Sequence, residues 1–190
     1  MIKDFDLLQR ANNDYTTIDL EHAEELAYRE LIDSIRYISL GDECGVMGNI
    51  ANIITYKGRF YIQEEQFDRV FIYDDTGRCL KKIDNKGRGP GEYLRIESID
   101  INTEKEELML VDGMSDKLFF YDLDGNFKSI HSIRYFQTEN TLCLRDSVFL
   151  HISAPSQNFG NEGLYGYALV LSKGNENFLK GYRYLPLQVG

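Results

Sequence analysis

The chain has 190 residues, of which 43% are apolar and 13% aromatic, and this composition excludes a wholly disordered chain. Its formal net charge of -10 argues against the basic surface that nucleic-acid binding requires, so no nucleic-acid partner is predicted. The sequence has no run of about 18 to 20 apolar residues, so it predicts no transmembrane segment.

The first 48 residues are predicted to precede the repeated part of the chain. Residues 1–18 are polar, and we expect them to be loosely ordered. A short N-terminal helix is predicted next, because Asp19 suits an N-cap and apolar residues then recur at helical spacing. Residues 35–40 alternate between apolar and polar, which predicts a strand. Residues 19–48 are therefore interpreted as a helix plus a closing strand.

The chain from residue 49 to residue 190 is organised by a repeat. Residues 68–77 read DRVFIYDDTG and residues 116–125 read DKLFFYDLDG, so aligned positions lie 48 residues apart. A weaker third copy, YALVLSKG, ends at Gly174, 49 residues after Gly125. Repeats of this length, built from short strands, are typical of β-propeller blades. The sequence predicts an all-β chain with three four-stranded blades, at about 49–86, 94–133 and 140–184.

Two of the predicted strands, at 70–73 and 118–121, are apolar without interruption. Such strands are buried on both faces, as they are between stacked blades. An open arc of three blades would expose apolar residues on its end faces, and we expect these to include Ile53, Ile72, Leu169 and Leu171. Either further blades have been truncated away, or a homodimer completes the propeller, with each strand at 35–40 joining the other chain's third blade.

The segment that links the first two predicted blades, residues 86–93, reads KGRGPGEY. With the Gly77 turn before it and Ser98-Ile99-Asp100 after it, the segment resembles a six-bladed, NHL-like β-propeller family of Bacteroidetes. The resemblance covers about residues 30–133. It implies that the three blades are half of a six-bladed propeller and that the protein belongs to the cell envelope or periplasm. The N-terminal residues do not resemble an export signal, so a cytoplasmic location is the alternative.

The same linker carries the predicted ligand-binding residues. Its glycines suggest a phosphate cradle, but neither Gly-Lys-Ser/Thr nor a helix follows them, as a P-loop would require. Arg88, Glu92 and Tyr93 interrupt the glycines, and such loops commonly border the mouth of a propeller channel. We therefore predict that these three residues contact a ligand, with a purely structural crossover between blades as the alternative.

The sequence contains no catalytic motif and no metal-binding motif. Residues 122–126, DLDGN, lack the complete spacing of a calcium loop and are predicted to form a hairpin turn. The three histidines have no neighbouring residue at ligand spacing, and the three cysteines have no CxxC spacing. We expect the histidines to be structural and the cysteines to be unpaired; these residues are His22, His131, His151, Cys44, Cys79 and Cys143.

The sequence as a whole predicts a non-catalytic binding or scaffold propeller that recognises a carbohydrate, peptide or protein partner and needs no cofactor. The alternative is a calcium-dependent propeller hydrolase or lyase with its site in the central channel. Asn52, Glu97 and Asp100 lie on or beside the predicted inner strands, where they could supply oxygen ligands to calcium.

Overall fold

A computed structural model describes residues 32–133, 138, 140–145, 147–152, 167–174 and 177–183. The loose segment predicted for 1–18 and the helix predicted to begin at Asp19 lie outside these residues. The described residues form twelve β-strands and contain no helix.

The strands form three antiparallel sheets, each with four strands in sequential order. Blade 1 contains β1 (Ile50–Tyr56), β2 (Arg59–Glu64), β3 (Arg69–Asp74) and β4 (Cys79–Ile83). Blade 2 contains β5 (Ser98–Asn102), β6 (Glu107–Asp112), β7 (Lys117–Asp122) and β8 (Phe127–Ser132). Blade 3 contains β9 (Asn140–Cys143), β10 (Val148–Ile152), β11 (Tyr167–Lys173) and β12 (Asn177–Arg183). The first strands of successive sheets contact one another, β1 with β5 and β5 with β9, as inner strands do around a propeller axis. The predicted all-β propeller fold is confirmed.

The outer hairpin of each of the first two blades is fixed by an aspartate at the end of its third strand. Asp74 Oδ1 accepts hydrogen bonds from two backbone N–H groups of its turn, at 3.0 and 3.1 Å. Asp122 Oδ1 does the same in blade 2, at 3.0 and 2.8 Å. Gly77 and Gly125 then adopt φ of 89° and 78°, in the left-handed region that favours glycine. These turns explain why the Asp-x-x-Gly pattern recurs after 48 residues.

The core lies between the blades. Blades 1 and 2 bury a shared cluster that includes Tyr61, Val70, Ile72, Leu110 and Phe119. Blades 2 and 3 bury a second cluster that includes Met109, Leu118, Phe120, Phe149 and Val170. All four residues in each of the uninterrupted apolar runs are buried, which confirms the prediction of burial on both faces. The expected exposure of Ile72 is wrong, because this side chain faces blade 2 and is fully buried.

Residues 32–48, which we call the strap, cover part of the open face of blade 1. Cys44 and Met47 pack on a cluster formed by Ile62, Phe71 and Tyr73. The predicted closing strand at 35–40 is not a strand in the structure. This part of the strap lies beside the turn at 75–78 rather than beside a strand edge, and Gly41 N donates to Gly77 O at 2.8 Å. Blade 3 already has four strands of its own, so it does not need a strand from another chain to complete its sheet.

A disulfide joins the strap to blade 1. Cys44 and Cys79 are bonded, with their Cα atoms 5.9 Å apart, whereas Cys143 is free. The prediction that all three cysteines are unpaired is therefore wrong for two of them. The two bonded residues lie 35 positions apart in sequence, and only the path of the strap over β4 brings them together.

Candidate functional site

The alternating strand directions give the propeller two faces made of different connections. The linker face carries the β2–β3 turn (65–68), the segment between blades 1 and 2 (84–97) and the β6–β7 turn (113–116). The hairpin face carries the β1–β2, β3–β4, β5–β6 and β7–β8 turns. The predicted ligand-binding residues all belong to the segment 84–97.

Tyr93 lies inside the protein and fixes the path of the linker. Its side chain is fully buried, and its hydroxyl donates to the carbonyl of Asp68 at 2.8 Å and accepts from the N–H of Asn85 at 3.1 Å. Burial raises the pKa of this phenol well above its usual range. The aromatic ring also meets Phe119 edge to face, with 6.0 Å between the ring centroids. These contacts anchor the linker between blades 1 and 2.

Arg88 and Glu92 lie on the surface of the linker face, where both side chains are exposed. The Glu92 carboxylate accepts a hydrogen bond from the N–H of Gly89 at 2.7 Å, which closes a tight turn within the linker. A Cβ at Gly89 would lie only 3.1 Å from the same carboxylate oxygen. Glycine therefore leaves room for the carboxylate. The structure places Arg88 and Glu92 together on the linker face and Tyr93 beneath them; ligand contact by the three residues stays a prediction.

Asp68 holds the end of the linker against blade 1. This residue is buried and has a left-handed φ of 56°. Its carboxylate accepts from the N–H of Ile96 at 3.1 Å and forms an ion pair with Lys86. Gln63 Nε2 donates to the carbonyl of Ile96 at 3.0 Å, so the linker is also tied to β2. The linker thus has a fixed geometry.

Sequence reasoning missed two large apolar side chains at the tips of the linker-face turns. Phe67 is 51% exposed and Met114 is 65% exposed. The turn below each tip is capped by a buried acid: Glu64 Oε2 accepts from Phe67 N at 3.3 Å, and Asp112 Oδ1 accepts from Met114 N at 3.1 Å. Glu64 and Asp112 are 48 residues apart, so the repeat itself signals the two equivalent turns. Both tips are presented to solvent by rigid turns.

Charged neighbours accompany the first of these tips. The Arg69 guanidinium stacks 4.5 Å from the centroid of the Phe67 ring and donates to Glu64 Oε2 at 2.9 Å. Glu64 is fully buried, so the ion pair is held in a single geometry by the surrounding turn. Val46, at the end of the strap, is 83% exposed, and its carbonyl accepts from Arg69 Nη2 at 3.5 Å. An apolar and cationic surface therefore lies at the linker-face end of blade 1.

The hairpin face has a pocket of about 430 Å³ between blades 1 and 2, lined by Lys57, Arg59, Glu106, Asp122, Leu123 and Asp124. Arg59 Nη1 contacts Asp124 Oδ1 at 2.8 Å and donates to the carbonyl of Leu123 at 2.7 Å. Lys57 pairs with Glu106 across the same gap. Both cations of the pocket are therefore engaged by the neighbouring blade, so the pocket connects blades 1 and 2.

The structure does not assemble the inner-strand residues into one cluster. Asp100 faces blade 3, where its Oδ2 accepts from the N–H of Cys143 at 2.5 Å, and burial raises the pKa of this carboxyl. Glu97 pairs instead with Arg95 at 3.3 Å, and Asn52 lies opposite Gln63 in the β1–β2 ladder. Within the described residues, no three His, Cys, Asp or Glu side chains are grouped so that they could hold a metal ion.

A buried polar chain crosses blade 3. His151 Nε2 lies 2.8 Å from Ser172 Oγ, and His151 Nδ1 lies 3.0 Å from Thr141 Oγ1. A serine beside a histidine resembles a nucleophile with its base. All three side chains are at most 3% exposed, and burial lowers the pKa of His151 to about 4. The chain joins β9, β10 and β11, and this geometry fits a structural role.

The sequence of the chain matches a known protein family. Residues 15–184 match the model of the family described as a domain of unknown function, DUF4934. The chain belongs to the DUF4934 family. No curated protein matches it.

Solved structures resemble this DUF4934 chain in fold. A Bacteroides fragilis protein, assigned to the exported class by name only, has a TM-score of 0.70 and 19% identity, over 80% of this chain and 42% of that one. U3-55K has a TM-score of 0.51 and 10% identity, over 72% and 40% of the two chains. The WD40 repeats of RRP9 have a TM-score of 0.49 and 10% identity, over 71% and 38%. The DUF4934 chain spans less than half the length of each. Within its described part, it has no helix suited to crossing a bilayer.

Proposed function

We propose that this DUF4934 chain is a non-catalytic binding or scaffold module that recognises a carbohydrate, peptide or protein partner through its linker face. The observation that carries the proposal is the exposure of Phe67 and Met114 at the tips of two equivalent, acid-capped turns. Large apolar side chains that rigid turns hold in water are typical of interaction sites.

The energetics of the two tips support this role. About half of the Phe67 side chain is still exposed, so its burial by a partner would contribute about 2 kcal/mol at about 25 cal/mol per Å². Binding normally costs about 0.5–1.5 kcal/mol for each mobile side chain that it orders. The stacked Arg69 and the capped turn reduce this cost at Phe67 because its surroundings are already ordered.

The chemistry of the linker face favours a peptide or protein among the three partner classes. Arg88 and Glu92 add one exposed charge of each sign beside the apolar tips. Apolar anchors surrounded by charged groups match a polypeptide better than a neutral sugar. In this arrangement Arg88 and Glu92 select the partner, and Tyr93 holds the linker in place from below.

Binding to a random peptide library and to a glycan array tests the proposal. We expect a peptide ligand whose affinity falls at least tenfold in the double variant Phe67→Ala/Met114→Ala. Leu80→Ser is the matched control, because Leu80 is also an exposed apolar residue, 39% accessible, but lies on the outermost strand of blade 1. The proposal fails if neither array yields a ligand, or if the double variant binds as well as the control.

The proposed function requires no cofactor. The rival proposal, a calcium-dependent hydrolase or lyase, requires calcium to bind in the central channel near Asn52, Glu97 and Asp100. Titration calorimetry with calcium chloride separates the two proposals. Tight, stoichiometric calcium binding that is lost in Asp100→Asn would favour the enzyme.

We further propose that the chain is half of a six-bladed, NHL-like propeller located in the cell envelope or periplasm. Alignment over 42% of the Bacteroides fragilis protein supports the first part. The Cys44–Cys79 disulfide supports the second, because such bonds persist in oxidising compartments. Thiol labelling of intact cells tests the location. Reduced Cys44 and Cys79 in the cytoplasmic fraction would instead favour the cytoplasm.

A further inference from the structure

Blade 3 has an apolar face directed away from blade 2. Directly paired residues of an antiparallel sheet share a face, and Leu150 pairs with Leu142 on one side and Leu171 on the other. Ile152 pairs with Leu169 on the same face. We call this surface the outer leucine face, and with Val148 it comprises Leu142, Val148, Leu150, Ile152, Leu169 and Leu171. All six side chains are only half-buried.

The corresponding faces of blades 1 and 2 are buried completely. Blade 1 turns Val70 and Ile72 toward blade 2, and both are 0% exposed. Blade 2 turns Met109 and Phe120 toward blade 3, where they are 0% and 3% exposed. The outer leucine face repeats this aliphatic composition at the next step of the propeller. It therefore has the character of a surface that packs against another four-stranded sheet.

The opposite end of the arc carries a complementary apolar surface. The strap covers Ile62 and Phe71 on the open face of blade 1, but it leaves Ile53 on the innermost strand 51% exposed. On the strap itself, Ile35 is 68% exposed and Tyr37 is 92% exposed. Each end of the same chain thus presents apolar groups on a blade face or beside one.

We infer that the outer leucine face binds a second copy of this chain, by packing against the end of blade 1 that carries Ile53. This inference rests on the proposal that the chain is half of a six-bladed propeller. Two such contacts related by a two-fold axis would close three plus three blades into one ring. Blade faces make the contact, and no strand is exchanged, because blade 3 already has four strands.

A second copy is favoured because the two surfaces belong to one chain and would cover each other. Contact at one end alone would leave the other blade face open and would propagate into filaments. Closure covers both surfaces in the same assembly. The interface would be apolar, like the two blade-to-blade contacts that the chain already contains.

Size-exclusion chromatography with light scattering tests the inference on the full chain. We expect wild type to have twice the 22.0 kDa chain mass. Leu171→Glu and, independently, Ile53→Glu should each give a folded monomer with an unchanged circular dichroism spectrum. Met114→Glu is the matched control, because it changes an exposed apolar residue of the middle blade and should leave the dimer intact. If one interface variant misfolds, the other still tests the contact.

Three results would overturn the inference. These are a monomeric wild type at every concentration, open polymers in place of dimers, or a dimer that persists in both interface variants. The outcome is separable from that of the binding function. Peptide binding that is lost in Phe67→Ala/Met114→Ala while wild type stays monomeric would refute the dimer alone. A dimer without any ligand would refute the linker-face proposal alone.

Discussion

Breaking the Cys44–Cys79 disulfide should release the strap from blade 1 and lower the stability of the whole arc. The bond closes a loop of 35 residues. The chain-entropy relation gives a stabilisation of about 4 kcal/mol for a loop of this length, through restriction of the unfolded chain. A typical domain is stable by only about 5–15 kcal/mol, so this bond would supply a large share.

Urea unfolding with and without a thiol reductant measures this contribution without changing any side chain. We expect the free energy of unfolding to fall by about 3–4 kcal/mol on reduction. The double variant Cys44→Ala/Cys79→Ala should lose a similar amount and should no longer respond to the reductant. Cys143→Ala is the control, because this free cysteine lies in blade 3 and its variant should still respond.

Alkylation under denaturing conditions provides the direct chemical check. Before reduction only one of the three cysteines should react, and afterwards all three should. The reasoning fails if three thiols react before reduction. It also fails if the bond is present but reduction leaves the unfolding midpoint unchanged, since the strap would then add nothing to stability.

Three further predictions concern single residues. His151 should make stability fall by about 3 kcal/mol between pH 6.5 and pH 4, because its pKa drops from 6.5 to about 4 on folding and the unfolded chain binds the proton first; urea unfolding of His151→Gln should lack this component. Gly125→Ala should cost about 2–3 kcal/mol, because the new Cβ would lie 2.9 Å from blade 1 side chains, whereas Gly174→Ala, also at positive φ but in open space, should cost about 1 kcal/mol; equal losses would contradict the close approach. Asp112→Ala should cost about 3 kcal/mol in the same assay, because it leaves buried N–H groups of the linker and turn unpaired, and Asp124→Ala, at an exposed ion pair, should cost about 1 kcal/mol or less.

The sequence was sufficient to predict the blades because the signals that define them are local. The Asp-x-x-Gly turns at Gly77 and Gly125 need only a capping aspartate and a left-handed glycine within a few residues. Unbroken apolar strands likewise reveal burial on both faces, as Phe71 and Phe119 confirm. The repeat then relates these local units, and so the sequence by itself determined the all-β fold and the order of its three sheets.

The tertiary structure alone decided which distant residues meet and which linker residues reach the surface. Cys44 and Cys79 pair because the strap crosses blade 1, and no sequence spacing records that path. Tyr93 is buried while Glu92 is exposed, since the course of the linker between two packed blades sets the direction of each side chain. Ile53 stays exposed and Ile72 is buried, although both are isoleucines on strands of the same blade. Local sequence determines how a strand or turn forms, but the packing of one blade on the next determines which of its faces meets water.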